Sequence, residues 1–266
     1  MRRPHAPLVR AELYGEGEPR VDDPAELFHE ASKLHPALAA RHAAGITRLA
    51  ANAELQAAAM LADRNNPELP SYRLPSPRQP RCSLWRALDR RWSRRDFNGA
   101  ALARRSLATL LDAGYGLRAG SRRTVPSGGA LYPLELYVAA HEIDDVAAGV
   151  YRYDPRRHAL EELDRSDPWP RLEGASPFPG LLDGAAAVLL VLAVFGRTRF
   201  KYGQRGVRFV LLEAGHVVQN VVLAATALDL PALPLGGFYD AQVDALLDAD
   251  GVEESVVYGV VLGGAS

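Results

Sequence analysis

The chain has 266 residues, 48% of them hydrophobic and 24% charged, with a formal net charge of −1. That length suits one large domain, or a domain with an extension, and the near-neutral balance argues against a nucleic-acid-binding protein. The single cysteine, Cys82, excludes an internal disulfide and a thiolate-rich metal site, and no metal centre is expected. No charged-then-apolar leader opens the sequence, so a cytoplasmic protein is expected. The longest apolar run, Ala185 to Phe195, has 11 residues, too few to cross a bilayer as a helix, and no membrane partner is expected.

Residues 24–63 are Ala-rich, with apolar residues at helical spacing (Ile46, Leu49, Ala53, Ala57, Met60), and predict one or two helices. Asn65 to Pro80 then carries five prolines, which remove backbone donors and favour extended conformations, so it reads as a surface strap. The division falls near residue 80, giving an N-terminal helical extension with strap, 1–80, and a main domain, 81–266. Leu84 to Arg90 predicts a short helix, and Ser106 to Gly114 another, with Ser106 as N-cap. Leu134 to His141, Gly149 to Pro155 and Ala159 to Leu163 read as strands of a meander. Ala187 to Phe195 reads as a central strand buried on both faces. Val207 to Leu228 predicts a helix apolar nearly all round, which belongs in a core or at a subunit interface. A short helix from Asp240 to Leu247 and a final strand, Ser255 to Leu262, complete an α+β pattern.

Several segments carry candidate chemistry. Gly114 to Gly120 lacks the spacing and the strand–turn–helix context of a dinucleotide fingerprint, and reads as a helix C-cap and turn. His29, His35 and His42 lack metal-ligand spacing and read as ordinary surface or packing residues, whereas His216 sits inside the apolar helix. Arg90 to Phe97, RRWSRRDF, sets arginines about a serine, a pattern suited to a phosphate or to a solvated basic turn. In Arg123 to Pro133, Pro-Ser-Gly-Gly lets backbone approach a planar ligand closely. A second Gly-Gly loop spans Leu233 to Phe238. Arg199 to Gly206, RFKYGQRG, places Lys201 and Tyr202 among basic residues just before the long helix.

Together these segments resemble the SagB-type members of the nitroreductase-like FMN enzymes, which include azoline dehydrogenases of peptide natural-product pathways. The resemblance rests on Arg91-x-Ser93-x-Arg95-x-Phe97, on Pro126 to Tyr137, on Gly149-Val150-Tyr151-x-Tyr153-Asp154-Pro155, on Glu213-Ala214-Gly215-His216-x-x-Gln219-Asn220 and on Leu235-Gly236-Gly237-Phe238. It covers about residues 80–263, and Phe28-His29-Glu30-x-Ser32-Lys33 matches the group's N-terminal extension.

The resemblance implies a nitroreductase-like fold with a central, mostly antiparallel sheet flanked by helices, and a homodimer with FMN at the subunit interface. It places Arg91, Ser93 and Arg95 on the phosphate, ribityl and pyrimidine groups of FMN. Pro126, Ser127, Gly128 and Gly129, with Leu235, Gly236 and Gly237, are expected against the isoalloxazine. Many nitroreductases hold the phosphate with a basic residue near the C-terminus; here the last residues are Gly263 to Ser266, and Arg205 and Arg208 are the candidates to substitute. Lys201 and Tyr202 match the Lys-Tyr pair proposed to abstract a proton in azoline dehydrogenases. Lysine serves as a base when desolvation or a neighbouring cation lowers its pKa, and Arg199 and Arg205 are candidates for the latter. The implied activity is oxidation of peptide-borne thiazolines or oxazolines, with a modified precursor peptide as substrate and a cyclodehydratase complex as partner. A SagB-like enzyme acting on another amino-acid-derived or carrier-bound substrate, and a non-catalytic scaffold subunit, are the alternatives.

Overall fold

The computed structural model describes residues 23–60 and 67–265. Residues 1–22 of the expected extension, the end of the predicted helical region at 61–63, and Asn65 and Asn66 of the strap lie outside the described residues. Three helices come first: α1 (Pro24–Ala31), α2 (Ala39–Ala50) and α3 (Ala53–Met60). Asp23 caps α1, its carboxylate accepting from Ala25 N, and Pro24 fits the first helical turn, where a missing N–H costs nothing.

A seven-stranded sheet forms the centre, in the order β1 (Ser71–Arg73), β4 (Ala159–Asp164), β3 (Gly149–Asp154), β2 (Leu134–Ala140), β5 (Ala187–Val194), β7 (Glu254–Leu262), β6 (Ala232–Leu235). Every adjacent pair is antiparallel. The Pro-rich strap thus supplies edge strand β1. At the other edge, Pro234 interrupts β6 where a missing donor is tolerated. The prediction that Ala187 to Phe195 is central holds: β5 lies between β2 and β7, with Ala187 to Ala193 buried.

One sheet face is covered by α5 (Arg104–Tyr115) and the long α8 (Gln204–Ala227), which meet Leu134, Leu136, Leu189 and Val191. The other is covered by α6 (Trp169–Gly174) and α9 (Asp240–Leu246), against Val188, Leu190 and Leu192. The alternation of β5 side chains between the two clusters is the period-2 geometry of a strand buried on both sides. Helix α4 (Leu84–Arg90) packs on α8.

Helix α8, expected in a core or at a subunit interface, has one buried and one exposed side. Val210, Ala214, Val217, Val221 and Ala225 face the core, while Leu211 and Leu212 are 44% and 57% exposed and His216 is exposed. Its length and composition would suffice to cross a membrane, but its buried face is integral to the core. Ser106 is not the cap of α5: the helix begins at Arg104, and Ala103 before it makes no side-chain cap bond.

Candidate functional site

The basic lead-in to α8 is itself a helix, α7 (Gly196–Tyr202). It follows directly on β5 and is separated from α8 by Gly203, whose φ of 57° and ψ of −137° suit glycine alone. Two devices fix α7. Arg197 forms a 2.6 Å ion pair with buried Glu135 on β2. From the other side, α2 presses so close that a β-carbon at Gly45 would clash with Lys201 O and lie 2.7 Å from Phe200 O. Arg205 and Arg208 tie α8 to α1 as well: Arg205 Nη1 donates to Ser32 O at 3.0 Å, and Arg208 donates to Ser32 Oγ and His29 O.

The Gly-Gly loop meets α7 at Lys201 and Tyr202. A β-carbon at Gly129 would lie 2.5 Å from both Lys201 Nζ and Tyr202 Oη, so any larger residue there would push these two side-chain ends aside. Three loop residues adopt left-handed backbone: Gly129 (φ 67°), Ala130 (φ 54°) and Tyr132 (φ 44°). For Ala130 and Tyr132 this is strained, and strain survives only where the surroundings impose it. Phe209 of α8 lies against Gly128 and packs edge-on to the Tyr202 ring at 5.0 Å. Lys201 Nζ stands 5.1 Å from the centre of that ring.

Beneath the loop is a polar cluster. Ser127 Oγ accepts from Tyr132 N at 2.9 Å, and the Tyr115 hydroxyl donates to Glu213 Oε1 at 2.7 Å while accepting from Leu134 N at 3.3 Å. Arg123 lies 4.3 Å from the Tyr115 ring centre and 5.3 Å from that of Tyr132. Burial pushes the Glu213 carboxyl up to about 7, against the partial opposing pull of Ser127, Tyr115 and Arg123. Ser127 lies beside that carboxyl without a well-formed hydrogen bond to it, and Glu213 Oε2 is buried and unpartnered. Two turns on, the Asn220 amide donates to Ala113 O and Thr124 O. One face of α8 therefore supports the loop at both ends.

Arg91, Ser93 and Arg95 lie elsewhere. Arg94 N donates to Ala232 O at 3.0 Å, placing this segment along β6, next to Leu235, Gly236 and Gly237 in sequence. Arg94 pairs with Asp96, whereas Arg91 and Arg95 make no ion pair among the described residues. Ala232 and Ala187 both pair with Leu262, so Arg94 is level with the start of β5, while Lys201 follows its end. Eight residues of strand separate those levels by about 23 Å. Within one chain, the structure joins Pro126 to Gly129 with Lys201 and Tyr202, and Arg91 to Arg95 with β6, and holds the two groups apart.

Glu213 carries no role that the sequence alone assigns, and no local pattern marks Tyr115 or Phe209. A lone acid within an apolar helix was the available signal for Glu213; its partner lies 98 residues away, beyond local pattern. Among the described residues no cluster of metal-ligating side chains occurs.

Helices on both faces of an antiparallel sheet define an α+β architecture, and the chain belongs to the nitroreductase family, whose model matches residues 88–264. It is a nitroreductase-family oxidoreductase, the family expected from its motifs. It is 38% identical to the nitroreductase-type protein MJ1384 of Methanocaldococcus jannaschii over 161 residues, 60% of this chain and 81% of that one. It is 33% identical to the microcin B17-processing protein McbC of Escherichia coli, across 48% of this chain and 49% of McbC. It is 32% identical to the trifolitoxin-processing protein TfxB of Rhizobium leguminosarum, across 53% of this chain and 39% of TfxB. The alignments thus span half or less of those two processing proteins. Among solved structures, a nitroreductase-type protein from Anabaena variabilis superposes with a TM-score of 0.67 at 27% identity, covering 77% of this chain and 43% of that chain. A chain of the E. coli microcin synthetase McbBCD complex with truncated pro-MccB17 shares the fold, with a TM-score of 0.61 at 22% identity over 96% of this chain and 86% of that one.

Proposed function

We propose that the protein is an FMN-dependent dehydrogenase that oxidises peptide-borne thiazolines or oxazolines to thiazoles or oxazoles. The observation that carries the reading is the contact of the Gly129 backbone with Lys201 Nζ and Tyr202 Oη, which sets a lysine and a phenol beside a loop open to a planar ring. The similarity to McbC and TfxB, both processing proteins of peptide products, supports the substrate class. A modified precursor peptide is the proposed substrate, and a cyclodehydratase complex the proposed partner.

The residues fit FMN. Gly128 and Gly129 carry no side chains of their own, so their backbone is bordered by Phe209, Lys201 and Tyr202 alone, and Arg91 and Arg95 are cations without carboxylate partners among the described residues. We assign Arg91, Ser93 and Arg95 to the phosphate and ribityl end, and Pro126 to Gly129 with Leu235 to Gly237 to the ring. FMN, when bound, supplies the hydride acceptor, with oxygen as the final oxidant. Aromatising an azoline removes two hydrogens: a proton from the α-carbon and a hydride from the adjacent ring carbon. Lys201 and Tyr202 handle the proton, one taking it and the other relaying it or steadying the charge on the ring. The cross-packed Phe209 excludes water from one side of Tyr202.

Because Arg91 to Arg95 lie level with the start of β5 while Lys201 and Tyr202 follow its end, a single flavin touched by both requires a second copy of the chain. Apolar side chains favour such a homodimer: Leu84, Trp85 and Leu88 on α4 and Leu211 and Leu212 on α8 are exposed, and these helices pack together. The reading is tested by purifying the protein and incubating it with a thiazoline-bearing peptide. A flavin absorbance band and a loss of two hydrogens per ring are expected. Colourless protein that FMN does not reconstitute would favour the scaffold alternative.

A further inference from the structure

A cavity of about 660 Å³ lies between the N-terminal helices and α7, walled by Glu30 to His35, by Gly45 and Arg48 of α2, and by Arg199 to Arg205. Its charge is one-sided. Lys33, Arg48, Arg199, Lys201 and Arg205 line it, against a single carboxylate, Glu30, which Lys33 already pairs. Among the described residues Arg48, Arg199, Lys201 and Arg205 have no carboxylate partner, and Arg205 Nε is buried without a hydrogen bond. The chain as a whole has a net charge of −1, so this concentration of cations does not follow from composition. Like charges gathered in a cleft repel one another, and the low-dielectric walls focus their field on whatever enters. The stored repulsion is relieved by an anion.

We propose that this cavity binds a carboxylate of the peptide substrate, an acidic residue close to the ring that is oxidised, between Arg48 on one wall and Arg199 and Arg205 on the other. The assignment rests on the dehydrogenase reading, because Lys201 and Tyr202 form part of the same wall. A peptide carboxylate suits the cavity better than free phosphate. The volume falls in the range of sites for organic ligands rather than ions, and Ala31, Leu34, Phe200 and Tyr202 add hydrocarbon surface beside the guanidiniums. Arginine forks match a carboxylate's two oxygens. A ligand held from both walls also clamps α2 to α7, giving the N-terminal helices a direct part in substrate selection.

The test uses flavin-loaded full-length protein and two thiazoline peptides that differ only in an Asp or Asn next to the ring. The Asp peptide is expected to show a KM, and a Kd by calorimetry, about tenfold lower at low ionic strength, with the preference eroding as salt is raised. Arg48→Gln is expected to remove most of that preference while keeping the flavin content and the kcat. Equal Kd values for the two peptides with the wild-type protein would overturn the proposal. Loss of flavin from Arg48→Gln would also overturn it, by showing that the cations hold the cofactor's phosphate. If neither peptide is oxidised, the dehydrogenase reading fails; the calorimetric comparison still decides whether the cavity prefers the carboxylate.

Discussion

Glu213 and Tyr115, both buried, share a 2.7 Å hydrogen bond beneath the Ser127 to Gly129 loop. Because burial raises the Glu213 pKa to about 7 from 4.5, the folded protein holds a proton there that the unfolded chain releases above about pH 4.5. Stability therefore falls as pH rises between those two values and levels off above. The total is about 3 kcal/mol. Glu213→Gln should lack this fall, so its stability relative to wild type grows across that window in urea titrations. A constant difference at every pH would show that Glu213 does not titrate in this way.

Gly129→Ala should cost about 1 kcal/mol of stability, because alanine resists the left-handed backbone that Gly129 adopts at a φ of 67°. Its larger effect should be on rate, since the added methyl displaces the Lys201 and Tyr202 side-chain ends. A lowered melting temperature with wild-type turnover would mean those ends settle elsewhere without consequence.

Arg152 is 1% exposed and bonds Glu161, also fully buried, at 2.6 Å, and Glu135 at 3.2 Å. Burial lowers its pKa, but the two carboxylates more than offset that, so it stays charged. Arg152→Ala leaves buried negative charge short of a partner and should destabilise by about 3–5 kcal/mol in denaturant unfolding. A change below about 1 kcal/mol would show that Arg157, which also pairs with Glu161, and Arg197, which pairs with Glu135, compensate fully.

Leu212→Glu puts a charge on the exposed apolar side of α8. If that side joins two copies, sedimentation should change from dimer to monomer, with loss of flavin. Monomeric wild-type protein would remove the two-copy site.

Elements with strong periodicity were legible in sequence: α4 matched to the residue, and β5 and α8 within a few residues of their observed ends. Helix α7 was not, because its residues carry no apolar stripe; α2, the Arg197–Glu135 pair and buried Thr198 hold it in place. β6 was read only as a Gly-Gly loop, since Pro234 argues against a strand everywhere except at an edge. The site motifs were visible as spacing, but not their separation into two groups. Strand order fixes that distance, through Leu262 pairing with both Ala187 and Ala232. Nor did the sequence reveal that α1 and α2 wall the cavity at Lys201, because contacts such as Gly45 on Lys201 span long stretches of chain.

The central claim is tested most directly by mass spectrometry of a thiazoline peptide incubated with Lys201→Ala and with Tyr202→Phe. Both variants should retain FMN, since neither residue is assigned to holding it, and both should fail to remove the two hydrogens that the wild-type protein removes. Azole formation at the wild-type rate in both variants would contradict the account.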